Sequence, residues 1–415
     1  MTAAIGSDFF RREYARLVAM LVRRVGAHRL EAIEDAVQGA LLAAVETWPR
    51  GALPDNPSAW LSRVAHHHLV SELRTRGRRD RLAAEHFDTT AAPSFAEPPD
   101  ASLAGEIRDD LLRMLFLACD DAIPVESQIV LALKTLSGFG VREIAERLFL
   151  SEANVYKRLQ RAQARLRITP PSAEALTFAE LTTRLPAVLA ILHAIFTEGH
   201  LSSHAEGPVR RELCEDARWL ASVLVDHPAG RTPATYALLA LMDLHLARLS
   251  ARQDPYGALL LLDEQDRSRW DAAQIQSGLA WLGRAAEGDL FSRYHAEAGI
   301  AAEHCIAGTM KDTRWDRVVA CYELLDRVAP SPLHTLNRAI AVAEWRGPEA
   351  ALAVIEGLDP PEWIRRSYVW PAVLSDLHRR AGQGERARAL GQAALVAAPS
   401  DAIRAALERR LTMAR

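Results

Sequence analysis

Helical spacing of apolar residues runs through almost the whole chain and restricts its fold more than any other feature. From Tyr14 onward apolar side chains recur about every three to four positions, and runs of alternating β-branched residues are absent. Short segments rich in Pro, Gly and Asp divide these stretches. At 415 residues the chain also exceeds one ordinary domain. The pattern therefore predicts an all-α protein built from several helical units.

Two breaks in composition predict the main boundaries. Residues 83–106 are acidic and contain several prolines, which is typical of a linker. Thr169-Pro170-Pro171 ends the next helical stretch, because proline cannot continue a helix and disfavours helical geometry before it. Together with the helical periodicity, these breaks predict helical segments at 8–82, 107–168, 175–290 and 291–415, with the linker at 83–106.

The composition limits the classes of function. Apolar residues make up 49% of the chain and charged residues 25%, with a net charge of -3, which is the balance of a soluble globular protein. No uncharged apolar run of about eighteen residues exists, and no signal-peptide pattern begins the chain. The four cysteines are scattered, with no Cys-x-x-Cys pair. We therefore expect a cytoplasmic protein with free or buried thiols and no membrane partner.

The most specific local pattern is a pair of short predicted helices, residues 141–148 and 152–166, joined by a tight turn that places Ser151 as an N-cap. Apolar residues at helical spacing give the second helix an inward stripe, and its polar and basic residues, Arg165 among them, are left facing outward. A DNA-recognition helix needs this arrangement, because polar groups reach base edges while basic groups neutralise phosphates. An αα-hairpin with a solvated charged face is the alternative. The inward stripe is Val155, Leu159, Ala162 and Leu166, and the predicted DNA-facing residues are Ser151, Asn154, Lys157, Arg158 and Arg161.

Two stretches in this order resemble the extracytoplasmic-function subfamily of bacterial RNA polymerase sigma factors. The run from Ile33 to Trp48-Pro49, followed by Asn56-Pro-Ser-Ala-Trp-Leu61-Ser-Arg-Val-Ala and an Arg-rich tail, looks like their region 2. Residues 131–167 look like their region 4. The resemblance implies two small helical domains that bind promoter DNA together with the polymerase core, through its β′ clamp and its β flap.

The resemblance also implies roles for individual residues. One helix face would dock on the β′ clamp, and the next helix would hold the melted -10 element, since single strands are gripped by aromatic stacking and a basic groove. Region 4 would bind the -35 element, and the acidic linker would occupy the polymerase cleft or serve as a plain spacer. The implied clamp contacts are Glu34, Asp35 and Gln38; the implied -10 contacts are Trp60, Arg63, His67, Arg74, Arg76, Arg78 and Arg79.

One departure from the family lies in region 2. Similar proteins usually have Arg-Asn after the position of Val64-Ala65, whereas this chain has His66-His67-His68, so its promoter preference differs there. Consecutive residues on a helix point in different directions and cannot converge on one ion, so we expect no metal. Trp48 is interpreted as a core residue rather than a DNA contact.

The segment beyond Arg167 resembles a subgroup of these sigma factors with a long, tetratricopeptide-like C-terminal extension. Three strings carry the resemblance: Leu185–His200, Leu262–Trp270 and Pro330–Glu344. Predicted helices at 315–328, 333–346 and 385–397 are typical of helix pairs that must stack to bury their apolar stripes. In that subgroup the extension is thought to replace a separate anti-sigma protein, which implies regulation in cis and a regulatory protein or ligand as a partner.

Two groups of polar residues in the extension raise the alternative of an enzyme. No nucleophile, Gly-rich phosphate loop or spaced set of metal ligands accompanies them, so we interpret them as capping and hydrogen-bonding groups and expect no catalysis and no cofactor. The competing hypotheses are a helix-turn-helix regulator that does not act as a sigma subunit and a tetratricopeptide scaffold. The two groups are Glu198 with His193, His200 and His204, and Asp263, Glu264 and Asp266.

Overall fold

A computed structural model describes residues 7–48, 53–83, 104–148, 150–168, 176–200, 211–255, 258–399 and 401–412. Within these residues the chain forms nineteen α-helices and no β-strand, which confirms the all-α prediction. The chain forms two compact units, residues 1–194 and 195–415. The boundary lies inside one long helix, 178–200.

The first unit contains both of the segments predicted to face nucleic acid. Its central helix is α1, which contacts α2, α3, α4 and α5, so the two segments share one packed core. Leu17 and Leu21 of α1 have no exposed surface, and Ile33, Leu61 and Leu115 are buried from the surrounding helices. The helices are α1 (Ser7–Val25), α2 (Leu30–Thr47), α3 (Pro57–Ala83), α4 (Ala104–Ala118), α5 (Val125–Leu136), α6 (Val141–Arg147), α7 (Glu152–Ile168) and the first part of α8 (Phe178–His200).

Local sequence explains where α3 begins. The Asn56 Oδ1 atom accepts a hydrogen bond from the backbone N–H of Ala59 at 3.0 Å. Pro57 occupies the first helical position, where a missing N–H leaves no hydrogen bond unmade. Ser58 lies in the first turn and donates from Oγ to Glu13 Oε1 at 2.8 Å.

The start of α4 differs from the sequence prediction. The sequence places a linker at 83–106 and the next helical segment at 107–168, but α4 begins at Ala104, inside the predicted linker. Acidic residues are favoured in the first turns of a helix by its dipole, so the acidic composition of this segment did not exclude helix. Asp110 is buried there and pairs with Arg23 of α1 at 2.9 Å.

α8 is the one helix among the described residues that is long and apolar enough, by length and composition, to cross a membrane. Leu185, Val188 and Leu192 on this helix are buried against protein, and Pro186 interrupts its backbone hydrogen bonds. The apolar face of α8 therefore serves as part of a protein core.

The second unit is built around α10. This helix contacts α9, α11 and α12, and its residues 237–242 are at most 2% exposed. A helix buried on all sides reads as apolar on all sides, which fits its sequence of Ala, Leu and Met. The helices of this unit are α9 (Arg211–Asp226), α10 (Pro233–Leu246), α11 (Ala272–Ala285), α12 (Arg293–Ile306), α13 (Trp315–Val328), α14 (Pro332–Arg346), α15 (Pro348–Ile355), α16 (Glu362–Arg365), α17 (Val369–Arg380), α18 (Gly384–Val396) and α19 (Asp401–Thr412).

The paired helices predicted near the C-terminus are confirmed. α13 has the predicted bounds, and α14 and α18 each begin one residue earlier than predicted. For α14 the reason is the cap: Ser331 Oγ accepts from the N–H of Leu333 at 3.3 Å, with Pro332 in the first position. Successive pairs pack on one another and share a core that includes Val318, Leu336 and Leu377, as stacked repeats require.

Candidate nucleic-acid interface

The helix-turn-helix forms from α6 and α7 as predicted. Ile144 and Ala145 of α6 are buried, and the four residues of the predicted inward stripe of α7 are each at most 6% exposed. Ser151 caps the N-terminus of α7, with its Oγ accepting from the backbone N–H of Asn154 at 3.3 Å. The apolar stripe fixes the orientation of α7 on its domain. The packing therefore also determines which residues lie on the opposite, outward face.

The outward face of α7 carries most of the predicted DNA-facing residues. Ser151, Asn154, Lys157 and Arg161 are exposed, and Arg158 is half-buried. Arg165, which helical spacing also leaves on the outside, instead pairs with Asp120 of the α4–α5 loop at 3.3 Å. Lys157, Arg158 and Arg161 form a basic face on the first three turns and have no ion-pair partner in the part of the chain that the structure describes.

A second polar face lies on α3. Trp60, Arg63, His67 and Arg74 fall within about 60° of one another around the helix, at about 100° per residue. Arg63, His67 and Arg74 are exposed. The helix continues to Ala83 and so includes Arg76, Arg78 and Arg79, whose side chains lie outside the described residues. The face combines one aromatic ring with a line of cationic or protonatable groups.

Trp60 belongs to an aromatic cluster at the start of α3. Its ring lies edge-on to Trp48, with ring centroids 5.5 Å apart, and Trp48 stacks on Phe10 at 5.7 Å. The Trp48 Nε1 atom is buried and has no hydrogen-bond partner in the described part of the chain. Trp48 and Trp60 are both half-buried, and Trp48 also contacts the Phe9 ring, so its interpretation as a core residue is supported by aromatic contacts on several sides.

The three consecutive histidines of α3 diverge. His66 is half-buried, and desolvation, reinforced by the nearby charge of Arg24, lowers its pKa. His67 is exposed, and the His68 ring covers Gly39 of α2, where an added Cβ would lie 3.0 Å from Nδ1. Among the described residues no group of three or more His, Cys, Asp and Glu side chains could hold a metal ion.

The predicted polymerase-facing residues of α2 do not share one environment. Asp35 and Gln38 are exposed, but Glu34 is only 6% exposed. Tyr14 donates its hydroxyl to Glu34 Oε1 at 2.9 Å, and Gln163 of α7 donates from Nε2 to Oε2 at 3.1 Å. Burial raises the pKa of Glu34, and burial together with the Glu34 charge raises the pKa of Tyr14.

The hydrogen bond between Gln163 and Glu34 is one of several contacts that join the helix-turn-helix domain to helices α1 and α2. Arg167 of α7 pairs with Glu31 of α2 at 2.8 Å, although both side chains are 53% exposed. Lys134 of α5 lies over the Tyr14 ring at 5.3 Å, and Arg11 of α1 lies over the Phe139 ring at 5.2 Å. The domain that carries α7 therefore covers part of the α2 face predicted to bind another protein.

Asp120 is a functional candidate that sequence reasoning missed. It is 7% exposed, and besides Arg165 of α7 it binds Arg184 of α8, whose Nη2 lies 3.2 Å from Oδ2. Arg184 also donates from Nη1 to the Phe116 carbonyl at 3.2 Å. One carboxylate thus joins α7 to the first helix of the extension. A lone Asp in a loop carries no sequence signal that would identify this role.

Two of the carboxylates interpreted as capping or hydrogen-bonding groups in the extension accept hydrogen bonds from backbone N–H groups, and a third, Asp263, lies 3.8 Å from Arg410 Nη1. Asp266 Oδ1 accepts from the N–H of Ser268 at 3.0 Å, and Glu264 Oε2 accepts from the N–H of Leu261 at 2.7 Å. His200 is half-buried beside Arg252, and desolvation, together with the nearby His245, Arg252 and Arg248, lowers its pKa well below its usual value. His204 lies outside the described residues.

Comparison with known proteins gives three family matches. The model "Sigma-70 region 2" matches residues 10–79, "Sigma-70, region 4" matches residues 113–166, and "Family of unknown function (DUF6596)" matches residues 184–286. An uncharacterized protein of Rhizobium meliloti (strain 1021) is 36% identical over 330 residues, which is 79% of this chain and 78% of that protein. No solved structure matches. The first two matches lie within the segments 8–82 and 107–168.

Proposed function

Because the chain belongs to the sigma-70 family of transcription initiation factors, we propose that it directs RNA polymerase to specific promoters and that its helical extension regulates this step in cis. The observation that carries the proposal is the presence of two polar helix faces of different character in one chain. One, on α7, combines exposed Asn154 with cations; the other, on α3, combines Trp60 with a basic line.

The α7 face suits duplex DNA. Its N-terminal polar residues Ser151 and Asn154 have the size and hydrogen-bonding groups to reach base edges in a major groove, and Lys157, Arg158 and Arg161 can neutralise phosphates on either side. We assign this face to the -35 element. Arg165 has no part in it, since it is held by Asp120.

The α3 face suits a separated strand. Trp60 offers a ring on which a base can stack, and Arg63 and Arg74 follow a backbone at one- and three-turn intervals. His67 occupies the middle of this line. We assign this face to the -10 element and retain Arg76, Arg78 and Arg79 as proposed contacts of the same strand.

The polymerase contact is assigned to α2, through Asp35, Gln38 and Glu34, with the β flap of the core as the partner of region 4. In the structure Glu34 is covered by Gln163. The two promoter elements lie roughly 25 base pairs apart, or about 85 Å at 3.4 Å per pair. Because α7 touches α2 here, the first unit must open before both elements and the polymerase are engaged. The packed arrangement is therefore the resting state.

Regulation in cis is assigned to the attachment of the extension at Asp120. Arg184 of α8 binds the carboxylate that also holds Arg165 of the recognition helix. A change in the position of α8 would therefore alter the position of α7, because both helices bind the Asp120 carboxylate. A sigma factor acts on polymerase in the cytoplasm, and we place this chain there; a regulatory protein or ligand would act on the extension.

Run-off transcription with core polymerase tests the proposal. The full chain should give promoter-dependent transcripts, and Lys157→Glu combined with Arg161→Glu should abolish them while leaving binding to the core unchanged. Arg184→Gln should change transcript yield without changing affinity for isolated duplex DNA. DNA binding with no promoter-dependent transcript at any promoter would instead indicate a helix-turn-helix regulator that is not a sigma subunit.

A further inference from the structure

We infer that an open cleft in the second unit binds a small anionic molecule, a carboxylate or phosphate joined to a flat apolar group. The cleft has a volume of about 650 Å³, within the range of roughly 300–1,000 Å³ that is usual for small-molecule sites. The inference names the ligand class for the regulation proposed above, but binding itself does not depend on the sigma function. The lining residues used below are Arg211, Glu215, Arg218, Trp219, Arg269 and Asp271.

The guanidinium of Arg218, one of the cleft residues, is held rigidly by a buried carboxylate. Asp243 of α10 has no exposed surface and accepts hydrogen bonds from Arg218 Nε at 2.6 Å and Nη2 at 3.3 Å, from Gln274 at 2.7 Å and from Ser277 at 2.6 Å. This side-on pairing uses one edge of the Arg218 fork. Nη1, on the other edge, has no partner among the described residues, and the side chain is 34% exposed. The free edge is a preorganised donor for an oxyanion.

A second guanidinium is fixed on the neighbouring turn. Arg269 donates from Nη2 to the Ser250 carbonyl at 2.6 Å, and Ser250 Oγ donates to the Arg269 carbonyl at 3.0 Å. Arg269 forms no ion pair within the described ranges, although Asp266 lies near enough to interact with its charge, and its Nε and Nη1 groups make no hydrogen bond there. Two fixed forks on one cleft fit a carboxylate or phosphate group better than flexible lysines would.

The acidic residues of the cleft are already engaged. Asp271 caps α11 by accepting from the N–H of Gln274 at 3.0 Å, where the helix dipole favours its charge. Glu215 lies one turn from Arg211 on α9, with Nη1 and Oε1 3.5 Å apart. Trp219, on the same face of α9, is 37% exposed and gives the cleft an aromatic surface. The flat apolar group of the ligand, next to its anionic group, would pack against Trp219.

Direct binding to the full chain tests the inference, with phenyl phosphate as the probe and inorganic phosphate, benzoate and benzylamine for comparison. Calorimetry should give a Kd for phenyl phosphate below about 1 mM. We expect weaker binding of inorganic phosphate and none of benzylamine. Arg269→Gln should weaken phenyl phosphate at least tenfold. Trp219→Ala should remove the preference for phenyl phosphate over phosphate. Arg327→Gln, the same charge change at an exposed position on α13, is the control and should have no effect.

Arg218 is left unchanged in this test, because Arg218→Gln would leave Asp243 buried with fewer partners. Folding of each variant is checked by circular dichroism. Arg269→Gln carries the test, since Arg269 holds only a backbone carbonyl. No oxyanion bound at 10 mM, or equal affinity in wild type and Arg269→Gln, would overturn the inference. Run-off transcription with and without phenyl phosphate is a separate readout. Phenyl phosphate binding without promoter-dependent transcription would contradict only the sigma function. Promoter-dependent transcription without phenyl phosphate binding would contradict only the cleft inference.

Discussion

Asp243 shows how one carboxylate can organise a helical unit. It sits inside α10, has no exposed surface and binds groups on α9 and α11. Four hydrogen bonds fill the acceptor sites of its two oxygens, which offsets the cost of burying its charge. The side chain therefore fixes the positions of three helices relative to one another.

Asp243→Asn tests this role. The amide keeps the size of the side chain but removes the charge and turns one acceptor into a donor facing Arg218, Gln274 or Ser277. We expect the free energy of unfolding to fall by about 2–3 kcal/mol, below the value for a fully buried pair because Arg218 is 34% exposed. Urea denaturation followed by circular dichroism measures it. Asp289→Asn, at an exposed position, should change stability by less than about 0.5 kcal/mol.

His304 should make the second unit sensitive to acid. Burial, with Arg248 and Arg267 nearby, lowers its pKa from 6.5 to about 3. Below pH 6.5 the unfolded chain therefore binds a proton at His304 that the folded chain does not bind. The contribution of neutral His304 to stability is present above pH 6.5 and is lost as the pH falls toward 3. Between pH 7.5 and 5 the loss should be about 2 kcal/mol.

His304→Phe keeps an aromatic ring beside Trp315, whose centroid lies 5.4 Å away, and cannot titrate. Unfolding free energies measured by urea at pH 7.5 and pH 5 should differ less in this variant than in wild type. His334→Gln, a half-buried histidine of the same unit, serves as the control and should keep the wild-type difference. An identical pH difference in His304→Phe would show that the acid sensitivity arises elsewhere.

At the scale of the element, α7 has three faces with separate tasks. One packs on the domain core, one presents cations, and one carries Gln163 and Arg167 toward α2. Lys157→Gln should weaken duplex DNA binding and lower the salt dependence of log Kd by about one, because one phosphate contact is lost. Fluorescence anisotropy over a range of salt concentrations measures it. Lys311→Gln, exposed in the second unit, should leave the slope unchanged.

The elements show what the sequence could and could not predict. The inward stripe of α7 and the bounds of α13 followed from helical spacing, because burial inside one domain repeats every turn. The inward turn of Arg165, the burial of Glu34 and the early start of α4 did not. Each depends on a contact between segments far apart in the chain, and a polar residue that meets another domain looks in sequence like one that meets water.

At the scale of the whole molecule, the first unit packs together the two segments that, under the proposed function, must separate to act. Gly138, just before the helix-turn-helix, has φ +65° and lies so close to α1 that an added Cβ would be 2.7 Å from Arg11 Cγ. Gln163 and Arg167 make the contact at the other side, with α2. Polar and charge contacts of this kind can be exchanged for polymerase contacts without exposing a large apolar core.

Gln163→Glu should weaken this closed arrangement. The new carboxylate would lie where the Gln163 amide now donates to Glu34 at 3.1 Å, and two carboxylates at that distance repel. If opening limits polymerase binding, a change of about 1.4 kcal/mol raises the affinity for core enzyme about tenfold. Anisotropy of labelled full-length protein with core polymerase, in the absence of DNA, measures it. Gln160→Glu makes the same charge change at an exposed position on α7 and should leave that affinity unaltered. Equal affinities for wild type and Gln163→Glu would mean that the α7–α2 contact does not restrain polymerase binding. The increase should also fade at acidic pH, where one of the two carboxyl groups is protonated and can donate to the other.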